Sequence, residues 1–270
     1  MKFSFSTVGC PDWSWSEILA AARDLGYDGL ELRSLGKELF LPGVSRFQPD
    51  RVEAARADLT ARGLCVTCLD SDVLLSRPVD AQIERAKAWL GLACALHVPY
   101  IRVLGDEWGQ PDSDVDEKRV AEGLRALAPL AVQSGVTLLV ETNGVWADTG
   151  KLRRLLDDVG SPHVAVLWDV NHPVRYFGET PQKTWDNIGP WVKHVHLKDS
   201  VVKEDGRIVY KMLGYGDLPL AEILSLLKRG GYDGALSMEW VKRWNAELED
   251  AGVVFPHFIY QVKKMWKAAE

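Results

Sequence analysis

Short apolar runs and longer amphipathic stretches alternate eight times along this chain. The runs are Lys2 to Val8, Gly29 to Arg33, Leu64 to Ser71, Tyr100 to Gly105, Thr137 to Asn143, Val164 to Asn171, Val192 to Ser200 and Ala235 to Trp240. Several are apolar almost without interruption, as strands of a parallel sheet are when helices cover them. The intervening stretches carry helix signals. Ser14 to Glu17 forms a capping box that opens a helix ending at Gly26. Further helices are expected over Arg51 to Arg62, Ala81 to Leu96, Asp116 to Ser134, Lys151 to Val159, Leu220 to Arg229 and roughly Phe255 to Lys267. Most of them exit at a glycine that can adopt the left-handed cap conformation. The tetrapeptide Gly-Tyr-Asp-Gly occurs at Gly26 to Gly29 and again at Gly231 to Gly234, each time between a helix and a strand.

Eight strand–helix units with no linker predict an α/β fold, a single (β/α)₈ TIM barrel domain over residues 1–270; such barrels usually take ~250 residues. An open doubly wound sheet is disfavoured, because no G-x-G-x-x-G loop follows the first strand. Hydrophobic residues make up 47% of the chain, too many for disorder. The formal charge of −6 gives no basic excess for nucleic acid. No run approaches the ~20 apolar residues that span a bilayer, and no signal peptide is visible, so a cytoplasmic location is expected. Cys10, Cys65, Cys68 and Cys94 read as reduced structural thiols. The Cys65 and Cys68 pair lies in a strand, where residues three apart face opposite ways.

In a closed barrel, function gathers where the strands end. Four consecutive strands end in Glu141, Asp169, His196 and Glu239 after apolar lead-ins. Three carboxylates and an imidazole converging in a low-dielectric mouth repel one another without a cation. They form a hard, oxygen-rich set suited to Mn²⁺, Mg²⁺ or Co²⁺, with Zn²⁺ also compatible. Glu31 lies in a strand too and reads as structural. His194 and His196 share a strand; one is expected to face the interior and the other the helices, and their neighbours do not say which.

The motifs VETN at Val140 to Asn143, WDVNH at Trp168 to His172, HVHLKD at His194 to Asp199 and SMEW at Ser237 to Trp240 resemble the xylose isomerase-like TIM barrels. That family includes sugar isomerases and epimerases, inosose-type dehydratases and apurinic endonucleases. The resemblance spans essentially the whole chain and implies that Glu141, Asp169, His196 and Glu239 hold one divalent metal ion. It also implies that His172 touches substrate. The implied chemistry is isomerisation or epimerisation of a sugar, polyol or keto-sugar by proton transfer through a metal-bound cis-enediolate, with Glu141 and Glu239 as the two catalytic carboxylates. Expulsion of a β-hydroxyl from the same intermediate would instead make a dehydratase of an inosose- or dehydroshikimate-like compound. A non-catalytic, metal-stapled ligand-binding barrel is the reading from another class. The endonuclease branch needs extra histidines that the third and fourth strand ends lack.

Lys198 and His172 could stabilise charge on substrate oxygens. Lys198 could equally pair with Asp199 at the rim. Among 11 tryptophans, Trp13, Trp108, Trp146 and Trp240 follow strand ends, and Trp13 and Trp146 are favoured as substrate-binding walls. A hairpin is expected around Asp205-Gly206. The Gly214 to Asp217 loop reads as a tight turn in preference to a phosphate cradle. The expected partner is a small-molecule sugar or polyol, with neither nucleic acid nor membrane. Barrels of this kind are often homo-oligomers, and the exposed helix faces mark no interface.

Overall fold

Eight parallel strands close on themselves in a computed structural model that describes residues 1–111 and 114–270. They are β1 (Lys2–Ser6), β2 (Gly29–Leu32), β3 (Cys65–Leu74), β4 (Tyr100–Leu104), β5 (Thr137–Glu141), β6 (Val164–Asp169), β7 (Val192–His196) and, after a small hairpin of β8 (Asp199–Val202) and β9 (Ile208–Lys211), β10 (Ala235–Met238). The ring runs β1-β10-β7-β6-β5-β4-β3-β2. This is the expected (β/α)₈ TIM barrel.

The covering helices are α1 (Trp15–Leu25), α2 (Val52–Thr60), α3 (Val79–Leu96), α4 (Glu117–Ser134), α5 (Thr149–Val159), α6 (Asn171–Phe177), α7 (Pro181–Ile188), α8 (Leu220–Arg229) and α9 (Ala251–Ala268). The α1 capping box is complete, with Ser14 and Glu17 exchanging bonds. Sequence reading left the segment before β7 without helix, yet α6 and α7 lie there. Both are short, and Pro181 opens α7 at its first position, where a missing N–H costs nothing. The seventh run was expected to continue to Ser200. It breaks after His196 and restarts as β8, which pairs antiparallel with β9. No helix among the described residues is long and apolar enough to cross a membrane.

Two apolar layers hold the barrel. The larger packs the helices on the outer strand faces. The smaller lies inside: Cys68, Leu139, Ala165 and Leu167, with Tyr100 against them. Above this plug the inward positions on several strands become polar. On β4 the inward series is Tyr100, Arg102, Leu104; on β6 it is Ala165, Leu167, Asp169. Register is then decisive. A shift between β6 and β7 after the Val166–Val192 pair sets Leu167 beside His194 and Asp169 beside His196.

Candidate metal centre

The atoms offered by Glu141, Asp169, His196 and Glu239 all lie within 4.8 Å of one another. Each is aimed by its surroundings. Asp169 ends β6, and its main chain is clamped by Thr142: Asp169 N–H donates to Thr142 Oγ1 at 2.9 Å, and Thr142 Oγ1 donates to the Asp169 carbonyl at 3.0 Å. Asp169 Oδ1 accepts the Asn171 N–H at 2.9 Å, which leaves Oδ2 facing the centre. Glu141 Oε2 accepts from Arg102 Nη1 at 2.9 Å, and Arg102 Nη2 is tied to the Ser71 carbonyl at 3.1 Å. Glu141 Oε1 is left 3.7 Å from His196 Nδ1, and Glu239 Oε2 lies 3.6 Å from the same nitrogen.

His194 and His196 both face the interior. The expectation that they would split between interior and helices fails on the period of a strand, since residues two apart share a face. Glu31 stands between the two imidazoles. It accepts from His194 Nε2 and lies 3.0 Å from His196 Nε2. Glu31, read from sequence as structural, therefore belongs to the layer directly behind the ligand set. Asp70 completes that layer, 3.9 Å from His196 Nε2. All of these side chains are wholly buried.

The electrostatics follow from burial against paired charge. Burial alone would raise the Glu141 carboxyl, but the Arg102 guanidinium and then His196 outweigh it and hold it below the usual carboxylate range. Burial opposes charge on His196, and the surrounding carboxylates, Glu31 foremost, overcome it and raise its pKa well above the ordinary value. Asp70 goes the other way: burial, reinforced by the charge on Glu31, pushes it up. Lys198 is driven up by Asp169 and Glu239 against the cost of its burial. Its ammonium lies 2.6 Å from Asp169 Oδ2 and bonds Glu239 Oε2. The rim pair with Asp199 is not formed. Asp199 instead accepts the amides of Gly214 and Gly216, both at 2.9 Å, and of Leu218 at 3.3 Å. The Gly214 to Asp217 loop is thus a turn closed on an internal carboxylate, which takes the place an external anion would need.

A divalent ion fits this centre. His196 Nδ1 is a buried atom with no aligned hydrogen-bond partner among the described residues, and it points at the two glutamates, while Asp169 Oδ2 and Glu239 Oε2 share the Lys198 ammonium. An unsatisfied buried nitrogen is costly, and an ion would satisfy it together with the carboxylates around it. The donor set is three carboxylates and one imidazole, which suits a hard or borderline cation.

The centre opens into a cavity of about 440 Å³. His172 is on its wall, with Nδ1 donating to the Thr142 carbonyl at 3.0 Å and Nε2 lying 3.6 Å from Asp169 Oδ2. Lys198 lines it too. Trp13 and Trp146 are not brought there. Trp13 packs edge-on against Phe255, 5.6 Å between centroids, and borders a separate groove. Trp146 is buried against Gly105. The cavity's aromatic walls are Trp108, Tyr210 and Trp244. Sequence reasoning also passed over Arg33 and Arg102. The signal for Arg102 was present, as a lone charge in the middle of the apolar run Tyr-Ile-Arg-Val-Leu.

Residues 19–254 match the xylose isomerase-like TIM barrel family, and the chain belongs to it. It is similar to a 2-epi-5-epi-valiolone 7-phosphate 2-epimerase from an Actinoplanes species, with 28% identity over 71% of this chain and 72% of that protein. It is also 28% identical to an inosose dehydratase of Bacillus thuringiensis, over 45% of this chain and 46% of the other. Among solved structures, the IOLI protein with a bound zinc atom superimposes with a TM-score of 0.81 at 16% identity, over 100% of this chain and 99% of that one, a likeness of fold.

Proposed function

We propose that this protein is a divalent-metal-dependent isomerase or epimerase of a sugar, polyol or keto-sugar. One observation carries the reading: four strand ends bring an unbonded buried imidazole nitrogen, an aspartate and two glutamates to one point on the floor of a cavity. The ion, when bound, supplies Lewis-acid polarisation of a substrate carbonyl and so acidifies the adjacent C–H. Glu141 and Glu239 stand on strands three places apart round the ring and reach the substrate position from different sides. One accepts the proton from carbon and the other returns one. Glu141, locked by Arg102, is kept ionised; Glu239, the least buried of the four ligands, is open to the cavity. Lys198 stays protonated and places positive charge beside the oxygens on which negative charge develops. His172 has its Nδ1–H committed to Thr142, so Nε2 is the atom it presents to a substrate hydroxyl. The matching epimerase supports this reading.

A dehydratase reading is favoured by a separate observation. Lys198 lies 5.6 Å from the Tyr210 ring centre, and burial raises the Tyr210 phenol to about 12. Two protonated groups therefore flank one side of the cavity, placed to hydrogen-bond a departing β-hydroxyl. The inosose dehydratase match accords with it.

Solvent exchange tests both readings. Incubating keto-sugars and inososes with the metal-supplemented protein in D₂O should place deuterium on the carbon beside the carbonyl. Glu141→Gln and Glu239→Gln should each slow that exchange by about 10²-fold or more. Wild-type exchange in either variant contradicts the two-carboxylate scheme. A conjugated enone as product would select dehydration.

A further inference from the structure

Arg33 leaves β2 at the barrel rim. Its N–H and that of Ser34 both donate to Thr7 Oγ1 at 3.0 Å, which fixes the direction of the chain there. Its side chain lines the same cavity as Glu141, Lys198 and Glu239. The cavity's other deep cations are committed: Arg102 to Glu141, Lys198 to Asp169 and Glu239. The Glu107 carboxylate on the cavity wall is taken by Arg77 at 2.6 Å. The Arg33 guanidinium has neither ion pair nor hydrogen bond among the described residues, and its Nη1 is buried without a partner.

This guanidinium is held in place all the same. It lies 5.9 Å from the Trp244 ring centre. Trp244 is fixed by its neighbour Arg243, which donates to the carbonyls of Gly36 and Lys37, both at 2.6 Å, and ties the loop after β10 to the loop after β2. Burial and then the nearby charge of Arg102 outweigh the attraction of Asp70, Asp72 and Glu239 and lower the Arg33 pKa to about 10, which leaves it charged at neutral pH. A guanidinium whose buried Nη1 lacks a hydrogen-bond partner is costly, even with carboxylates in the same cavity. In a binding cavity the missing hydrogen-bond partner is one that a ligand can bring, and a planar guanidinium fork matches carboxylate and phosphate oxygens.

We infer that the ligand of this cavity carries an oxyanionic group, carboxylate or phosphate, which Arg33 binds at the rim while the polyol end reaches the strand-end carboxylates. This deepens the proposed reading and rests on it for the polyol end alone. A bound divalent ion would strengthen the preference, because it would cancel carboxylate charge and leave Arg33 in excess.

Calorimetric titration of the full-length protein with Mn²⁺ present tests the inference, using D-fructose, D-fructose 6-phosphate and D-fructuronate as probes. At least one anionic probe should bind about tenfold or more tighter than D-fructose, and the tighter of the two identifies phosphate or carboxylate as the natural group. In Arg33→Met that ratio should fall to within about threefold, with circular dichroism and bound-metal content as in the wild type. Arg33→Lys should recover part of it. Equal affinities in the wild type, an unchanged ratio in Arg33→Met, or no binding of either anion would overturn the inference. Failure of the polyol reading looks different. Anion binding would then stay sensitive to Arg33, while no probe would show metal-dependent binding or deuterium uptake.

Discussion

His196 uses its two ring nitrogens for two purposes. Nε2 faces Glu31 at 3.0 Å, so a proton there leaves the Nδ1 lone pair turned toward Glu141, Asp169 and Glu239. Glu31→Gln should therefore keep the fold and weaken divalent-ion affinity by about 10- to 100-fold, read by competition with a chromophoric chelator. Unaltered affinity would show that Glu31 merely fills space. The strand period alone was enough to place both histidines inward. Glu31 was harder to read, because a glutamate in an apolar strand gains its meaning only from partners on β7, far away in sequence. Outside the centre, Asp72 accepts from Arg85 Nε at 2.8 Å and from Trp89 Nε1 at 2.9 Å. Burial would raise its pKa, but these bonds win and lower it. Its stabilisation is thus present above the unfolded carboxyl pKa, ~3.9, and is lost as pH falls through the lower folded value. Asp72→Asn should cost about 1 kcal/mol at pH 7, a figure discounted for the half-exposed Arg85. The gap to the wild type should close in urea unfolding near pH 2.

At the scale of elements, the two Gly-Tyr-Asp-Gly segments explain themselves by close approach. A Cβ on Gly29 would meet the Cys65 carbonyl oxygen at 2.6 Å, and one on Gly234 would meet the Lys193 carbonyl oxygen at 2.5 Å. Each glycine lets a strand start against its neighbour's backbone. Gly29→Ala and Gly234→Ala should each destabilise by roughly 1–3 kcal/mol, measured by urea denaturation; a change within 0.5 kcal/mol would refute the packing argument. The β8–β9 hairpin depends on Asp199 in the same way. Asp199→Ala strips four amides, those of Ser200, Gly214, Gly216 and Leu218, of their acceptor and should speed proteolytic cleavage within residues 203–217, with the barrel itself intact. Strands and long helices were legible because their periodicities are sustained and their ends carry glycines or capping residues. The short helices α6 and α7 were not, since about two turns each give too little periodicity. The end of β7 was missed for a related reason: His194 to Ser200 alternates without a break in pattern, although the chain turns away after His196 to build the hairpin.

At the scale of the molecule, the barrel works as a ring that brings distant strand ends to one point. Residues at 141, 169, 196 and 239 have no local motif in common, and closure with the correct register unites them. That is why the convergence of Glu141, Asp169 and Glu239 could be read once eight strands were counted, while the choice of His196 over His194 came from the family resemblance. It is equally why the cavity walls could not. Trp108, Trp244 and Arg33 sit on loops whose paths depend on contacts such as Arg243 with Gly36 and Lys37, whereas Trp13 and Trp146 follow strands yet turn into packing. The central claim is that the four strand ends hold one divalent ion. Mass-spectrometric metal analysis of the purified protein, beside Asp169→Ala/His196→Ala, tests it most directly. The account predicts about one ion per chain in the wild type and near zero in a double variant that keeps its circular dichroism. A wild-type protein that stays free of metal after supplementation with Mn²⁺, Co²⁺ or Zn²⁺, or a double variant that retains its ion, would contradict it.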